Sequence, residues 1–345
     1  MEHALVGGGA GFIGSHLCAA LVSRGLSVTC VDNLSTGTRD NIASLLNHQH
    51  FTLLTEDISL LDTERWIRGD LPAPNYIFHL ASPASVVDYL RLPVETLMVN
   101  SQGTLRLLDL ARACGSRFLF TSTSEIYGDP LVHPQSEEYW GNVSPNGPRS
   151  CYDESKRFAE ALTMQYWRSY GVDIRIVRIF NTYGPHSRLD DGRVVPNFIG
   201  QALAGEPITI YGDGTQTRSF CYVSDLVAGL LATMFTENVA GQVFNLGNPE
   251  EHTIVEFAEI VSSLVAEFKG RDGQDERPLL EWRDLPIDDP TRRRPDIEKA
   301  HKFLGWQPSV RLQDGLRQTI SWFGAGHEHE PISAVRGAHG AGAAE

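Results

Sequence analysis

The chain has 345 residues, 41% of them hydrophobic, with a mean hydropathy of -0.20, enough for a sizeable core in one large or two intimate domains. Its 29 basic residues against 43 acidic ones give a formal charge of -14, which argues against nucleic acid and anionic membranes as partners. Five cysteines, odd in number and without a CxxC pair, argue against a disulfide framework or a zinc site, so no metal is expected.

Ala4-Leu5-Val6 is apolar almost from the start and leads into glycines. No targeting segment is expected before it, no stretch approaches the roughly 20 apolar residues of a membrane span, and the expected location is cytoplasmic. Short apolar runs then predict strands at 3–7, 27–31, 51–54, 75–80, 117–121 and 174–178. Amphipathic stretches predict helices between them at 12–24, 39–46, 93–114 and 152–170. Alternation of this kind predicts an α/β fold, a doubly wound parallel sheet of the Rossmann type. Past residue 180 the pattern loosens. Loops rich in Gly, Pro and Asp fall at 181–197, 211–220 and 284–296, with helices at 196–204, 223–235, 253–267 and 312–323. The expected organisation is a dinucleotide-binding domain over 1–180 and a smaller, partly interleaved substrate-binding lobe over 181–323. The stretch 269–278 reads as an exposed loop. The Gly-, Ala- and His-rich tail 324–345, including His327 and His329, is expected to be disordered.

Gly7-Gly8-Gly9-Ala10-Gly11-Phe12-Ile13-Gly14 joins the first strand to the first helix. Glycine allows the tight turn, the approach of backbone N–H groups to a pyrophosphate, and close helix–sheet packing. A lone glycine pattern is weak; here the next strand, Val28-Thr29-Cys30-Val31, ends in Asp32. That carboxylate can accept from ribose hydroxyls and would repel a 2′-phosphate, so NAD is expected over NADP. Asp57 and Ile58 follow the third strand, where an adenine ring would lie; a turn cap is the plainer reading of Asp57.

Tyr152 and Lys156 form a YxxxK pair on one helix face. A nearby ammonium and a positive nicotinamide favour phenolate, allowing proton abstraction from an alcohol as hydride leaves. Upstream, Thr121-Ser122-Thr123-Ser124-Glu125 ends a strand at the sheet's carboxyl edge, where side chains face the ligand crevice. Thr123 could bond the reacting hydroxyl, with Ser124 and Glu125 beside it. The plainer alternatives are a surface pair and a polar turn.

Together these residues resemble the extended short-chain dehydrogenase/reductase family, and within it the UDP-glucuronic acid decarboxylases. The stretches that carry the likeness are His79–Ser85, Ser122–Pro130, Tyr139–Val143, Arg149–Glu154, Arg178–Pro185, Asp191–Val195, Gly214–Tyr222 and Asp289–Asp296. The resemblance spans about residues 3–323. It implies oxidation of the sugar C4 hydroxyl by NAD with Tyr152 as base, loss of CO2 from the 4-keto acid, protonation at C5 and re-reduction at C4. It implies Thr123, Ser124, Glu125, Tyr152, Lys156 and Arg293 as catalytic, with Arg293 at the substrate carboxylate, though Arg292 and Arg294 compete for that register. It implies a cofactor site of Gly8, Gly11, Phe12, Ile13, Gly14, Asp32, Asn33, Asp57, Ile58, Leu80, Ala81, Ser82 and Asn100 besides Tyr152 and Lys156. It implies a UDP-glucuronate site of Pro83, Asn181, Arg193, Val195, Tyr211, Gln216, Arg218 and Arg293, and a homodimer pairing helices 93–114 and 152–170. Arg178 is either a diphosphate contact or a paired core arginine. Ser124 stands where the related 4,6-dehydratases usually carry Asp, and serine is a poor general acid. The competing expectations are a nucleotide-sugar 4-epimerase or dehydratase, and a non-catalytic NAD sensor.

Overall fold

A computed structural model describes residues 1–272, 277–284 and 292–326. Seven strands form one parallel sheet: β1 (His3–Gly7), β2 (Ser27–Val31), β3 (Phe51–Leu54), β4 (Tyr76–His79), β5 (Arg117–Thr123), β6 (Ile174–Ile179) and, from the second half, Gln242–Leu246. Between β6 and that last strand lie four short ones: β7 (Thr182–Tyr183), β8 (Ile208–Tyr211), β9 (Thr217–Ser219) and β10 (Cys221–Tyr222), which makes Gln242–Leu246 β11. The order across the sheet is β11-β6-β5-β4-β1-β2-β3. The chain therefore reverses direction between β1 and β4, and ligands of such sheets bind outside the carboxyl ends of the strands at this switch point.

Alternation along each strand feeds two apolar cores. Ala4, Val6 and Leu119 point into one, with Leu17, Leu21 and Leu226. Leu5, Phe118 and Phe120 point into the other, with Leu107, Leu110 and Ala159. Burial on both faces is why these strands read as continuous apolar runs.

Several elements differ from expectation. The helix expected at 39–46 is a 3-10 turn, Arg39–Ile42, capped by the Thr38 hydroxyl. The helix expected over 93–114 runs as Pro93–Met98, a π turn at Val99–Gly103, and Thr104–Cys114. π turns widen the ladder and recur near functional sites. Here the widened turn carries buried Asn100, whose amide donates to Ser82 Oγ (2.9 Å) and Ser155 Oγ (3.1 Å) beneath the site. Strand β11 and the helices Val86–Arg91 and Glu298–Leu304 were not foreseen.

The second half adds small sheets. β7 pairs with β10. β9 lies between β12 (Glu251–Thr253) and β14 (Arg292–Arg293), and β8 pairs with β13 (Leu280–Arg283). In β14 the register sets Arg293 opposite Arg218 of β9. The last helix, Leu312–Gly324, ends where the tail was expected to start. His327, His329 and the rest of the tail lie outside the described residues, as do 273–276 and 285–291 of the two expected loops.

Candidate active site

A cavity of about 900 Å³ follows the carboxyl edge of the sheet across the switch point. One end is the glycine loop. Gly8 has φ +81, and a Cβ there would stand 2.6 Å from the Ala81 nitrogen. A Cβ on Gly14 would stand 2.0 Å from the Gly8 oxygen. The loop thus folds onto the helix start and the β4 end only as glycine, which leaves a cradle shaped for a pyrophosphate at the N-terminus of Phe12–Ser23. Asp32 ends β2 beside it, nine-tenths buried. Its oxygens accept from the Ala10 nitrogen (2.9 Å) and the Leu34 nitrogen (2.8 Å). Burial pushes this carboxyl above the usual aspartate range, against those two bonds. Asp57 caps the turn Ile58–Leu60 by accepting from the Ser59 nitrogen, and it also accepts from Asn33 Nδ2 at 2.9 Å. It is a turn cap that also lines the cavity. These groups suit a dinucleotide.

The middle of the cavity holds the reactive pair. Tyr152 sits on the helix Ser150–Tyr170, facing the end of β5. Its phenol lies near the Thr123 hydroxyl, which favours the phenolate, and its ring stacks on Tyr89, centroids 5.1 Å apart and planes 8° from parallel. Burial pushes the phenol up to about 12, against the opposing pull of the nearby Thr123 hydroxyl. One turn on, Lys156 Nζ donates to the Thr121 carbonyl at 2.9 Å and lies 5.8 Å from the Tyr152 ring centroid. Burial pushes the lysine down to about 7. Burial and then Lys156 push His79 beneath it down to about 3, so that imidazole is neutral. In the chain without cofactor, desolvation is the largest influence on both groups.

The far wall is charged. Arg293 forks onto Glu125, with Nη1–Oε1 at 2.5 Å and Nη2–Oε2 at 2.9 Å, while Arg149 Nη2 meets Glu125 Oε2 at 2.8 Å. Burial would raise this glutamate, but Arg293 and Arg149 outweigh it and hold the carboxyl below its ordinary range. The neighbours of Arg293 turn the other way: Arg292 is exposed, and Arg294 reaches Glu251 at 3.7 Å. Period-two alternation thus selects Arg293 among the three.

Of the residues expected as catalytic, cofactor-binding or substrate-binding, all but Asn100 line this cavity: Gly8, Gly11 to Gly14, Asp32, Asn33, Asp57, Ile58, Leu80 to Pro83, Thr123 to Glu125, Tyr152, Lys156, Asn181, Arg193, Val195, Tyr211, Gln216, Arg218 and Arg293. Asn100 is fully buried, one layer behind Ser82. Arg178 is a paired core arginine, its guanidinium on Glu160 at 3.0 and 2.8 Å. Sequence reasoning missed Tyr89, Arg149, His186, Arg188 and Arg283, which also line the cavity. Arg149 lay within a recognised stretch without a role. The others carry no local signal, because only the tertiary fold brings them to the wall.

Fold and site together define an extended short-chain dehydrogenase/reductase. A family model described as GDP-mannose 4,6 dehydratase matches residues 5–319. UDP-glucuronic acid decarboxylase 1 of Danio rerio is 49% identical over 326 residues, which cover 94% of this chain and 73% of that protein. The solved UDP-glucose 4-epimerase of Thermotoga maritima superposes with a TM-score of 0.82 at 32% identity, covering 95% of this chain and 100% of that one. The UDP-glucuronic acid 4-epimerase of Bacillus cereus, in complex with UDP-glucuronic acid and NAD, gives a TM-score of 0.81 at 30% identity, covering 94% and 99%. Within that class, the chain belongs to the UDP-glucuronic acid decarboxylase family.

Proposed function

We propose that the chain converts UDP-glucuronate to UDP-xylose and CO2, with NAD reduced and reoxidised within one turnover. The observation that carries this reading is Arg293: a buried guanidinium, already forked on a carboxylate, on the same cavity wall as the Tyr152–Thr123 pair. A planar guanidinium matches a carboxylate bidentately, which suits an acidic sugar.

Tyr152 takes the proton of the C4 hydroxyl, and Thr123, beside the phenol, orients that hydroxyl. Bound NAD supplies the acceptor and later the donor of the C4 hydrogen and, when oxidised, a positive charge that opposes the desolvation of Tyr152. Lys156 adds donor capacity behind the phenol. The C4 ketone stands β to the C6 carboxylate, so the C5–C6 bond breaks with its electron pair delocalised into an enolate, and CO2 leaves. Arg293 holds the carboxylate until it departs, and Glu125, ionised beside its arginines, orients the solvent water that gives its proton to C5. Tyr152 then returns its proton to the C4 oxygen. Asn181, Arg193, Gln216 and Arg218 hold the diphosphate and nucleoside. Ser124 supplies a hydroxyl and no general acid, which supports decarboxylation over dehydration.

We assign the dinucleotide to residues 1–180 and the sugar nucleotide chiefly to 181–323. Val94, Leu97, Leu105, Phe158 and Tyr170 are exposed apolar residues on the helical segments 93–114 and 150–170. Exposed apolar residues on these neighbouring helical segments support a symmetric dimer through those helices. All five cysteines are free thiols, which supports a reducing, cytoplasmic setting; among the described residues no helix is long and apolar enough to cross a membrane. The reading is tested with UDP-glucuronate carrying ¹³C at C6. Labelled CO2 in step with UDP-pentose supports it, and a labelled carbon retained in an epimerised uronic acid overturns it.

A further inference from the structure

We propose that the segment Gly184–Asp190 is a clasp that keeps the dinucleotide bound through the turnover, and that His186 and Arg188 are its positioning residues. This rests on the reading that NAD occupies the glycine-loop end of the cavity. The segment leaves β7 and crosses that end, where His186, Ser187 and Arg188 share a wall with Gly11, Gly14 and Thr36.

The clasp is fastened on two sides. On the phosphate side, His186 Nδ1 meets Ser15 Oγ at 2.8 Å, in the first turn of the helix that faces the cradle. The His186 ring stacks on His16, centroids 4.5 Å apart, and His16 Nε2 bonds the Pro185 carbonyl at 2.9 Å. Trp322 of the last helix sets its ring 4.8 Å from His186. On the adenosine side, Arg188 reaches Asp88 at 3.3 Å, Asp190 at 2.8 Å and the Thr36 carbonyl, just beyond Asp32, at 3.4 Å. Asp88 is buried and accepts from Ser85 Oγ at 2.7 Å. His186 holds φ +70, a left-handed conformation that side-chain-bearing residues seldom keep unless surrounding contacts over-determine it. Those contacts are the fastenings just named. They touch the phosphate helix and the adenosine loop, and none touches Tyr152 or Thr123. The clasp therefore governs how long the cofactor stays and leaves the chemical step alone. A cycle whose cofactor must survive its own reduction needs such retention.

The test loads the full-length protein with NAD and follows its release, without sugar, during a chase with excess fluorescent NAD analogue. Ser15→Ala combined with Asp88→Asn is expected to speed release roughly tenfold or more. kcat at saturating NAD stays within about twofold of the parent and KM for the sugar nucleotide is unchanged, as follows if chemistry and cofactor retention are separable. Asp88→Glu, which keeps the carboxylate, restores slow release. Parent-like release by the double variant, with its circular dichroism intact, overturns the clasp, and so does a fall in kcat that excess NAD does not recover. A parent protein that binds no NAD overturns the functional reading instead, so the two failures are distinguishable.

Discussion

Glu125 and Arg293 stand 168 residues apart in the chain and meet as a fork, both carboxylate oxygens facing both terminal guanidinium nitrogens. A substrate carboxylate offers Arg293 the same chemistry as Glu125 does. Arg149, at 2.8 Å from Glu125, keeps that glutamate's charge answered when Arg293 turns to another partner. Removing one member of such a pair leaves a buried charge with less compensation, which costs on the order of 3–5 kcal/mol in comparable sites. Arg293→Ala is expected to lower kcat/KM for UDP-glucuronate by about 10² to 10³. Arg293→Lys keeps the charge without the fork and recovers only part of the loss. Steady-state kinetics alongside a direct NAD titration check this. An unchanged NAD affinity is required, and parent-like turnover by Arg293→Ala removes the arginine from the reaction.

Tyr152→Phe keeps the stack on Tyr89 and deletes the proton acceptor. Its kcat is expected to fall by about 10² to 10⁴, the usual range for a positioned acid–base group, with UDP-glucuronate binding retained. Calorimetric binding beside single-turnover rates separates the two. A variant that loses binding and rate together would make this tyrosine a wall of the site only.

Much of the site was legible because its signals are local. The glycine loop, the β2-ending Asp32 and the four-residue spacing of Tyr152 and Lys156 each sit within one strand–turn–helix or one helix face. The partner of Arg293 was not legible, nor was the choice among Arg292, Arg293 and Arg294, because β14 is two residues long and its register is set by β9. Strand β11 was missed for a similar reason: Gln242–Leu246 is short and takes its burial from pairing with β6. The helix expected over 93–114 concealed its π turn, since nothing local says that Asn100 must reach Ser82 and Ser155. The desolvation of the phenol was not legible either, because it arises where the helix Ser150–Tyr170 packs on the end of β5, with Lys156 donating to the Thr121 carbonyl.

Lys156 gives a pH dependence with a definite sign. Its folded value, about 7, lies below the ordinary 10.5. Between those values the unfolded chain holds a proton that the folded chain has shed, so folding is favoured progressively as pH climbs from 7 toward 10. In cofactor-free protein, the parent is expected to gain stability against Lys156→Met across that window. Urea midpoints of the two proteins at pH 7, 8 and 9 measure it. A gap that stays constant with pH would mean that the lysine titrates normally.

Gly8→Ala meets both a left-handed backbone and a Cβ contact of 2.6 Å with the Ala81 nitrogen. Backbone cannot yield as a flexible side chain can, so the loop must move away from the β4 end. NAD affinity is expected to drop by roughly tenfold or more, from strain of the order of 1–3 kcal/mol, while the sheet stays folded. Equilibrium dialysis with NAD and far-UV circular dichroism test the two halves. Parent-like affinity would place the pyrophosphate elsewhere.

Leu97 and Leu105 lie on the exposed apolar face proposed as the dimer contact. Charging both, as Leu97→Glu with Leu105→Glu, is expected to convert a dimer to a monomer in light scattering coupled to gel filtration. A parent protein that is already monomeric at micromolar concentration would remove the dimer.

The most direct measurement mixes the purified protein with UDP-glucuronate, with and without added NAD, and follows the sugar nucleotide by NMR and the cofactor by absorbance at 340 nm. The expected result is UDP-xylose without accumulating NADH, since the electrons taken at C4 return there. A 4-keto pentose formed with one NADH per turnover, an epimerised uronic acid, or an untouched substrate in protein that binds NAD would each contradict redox-neutral decarboxylation.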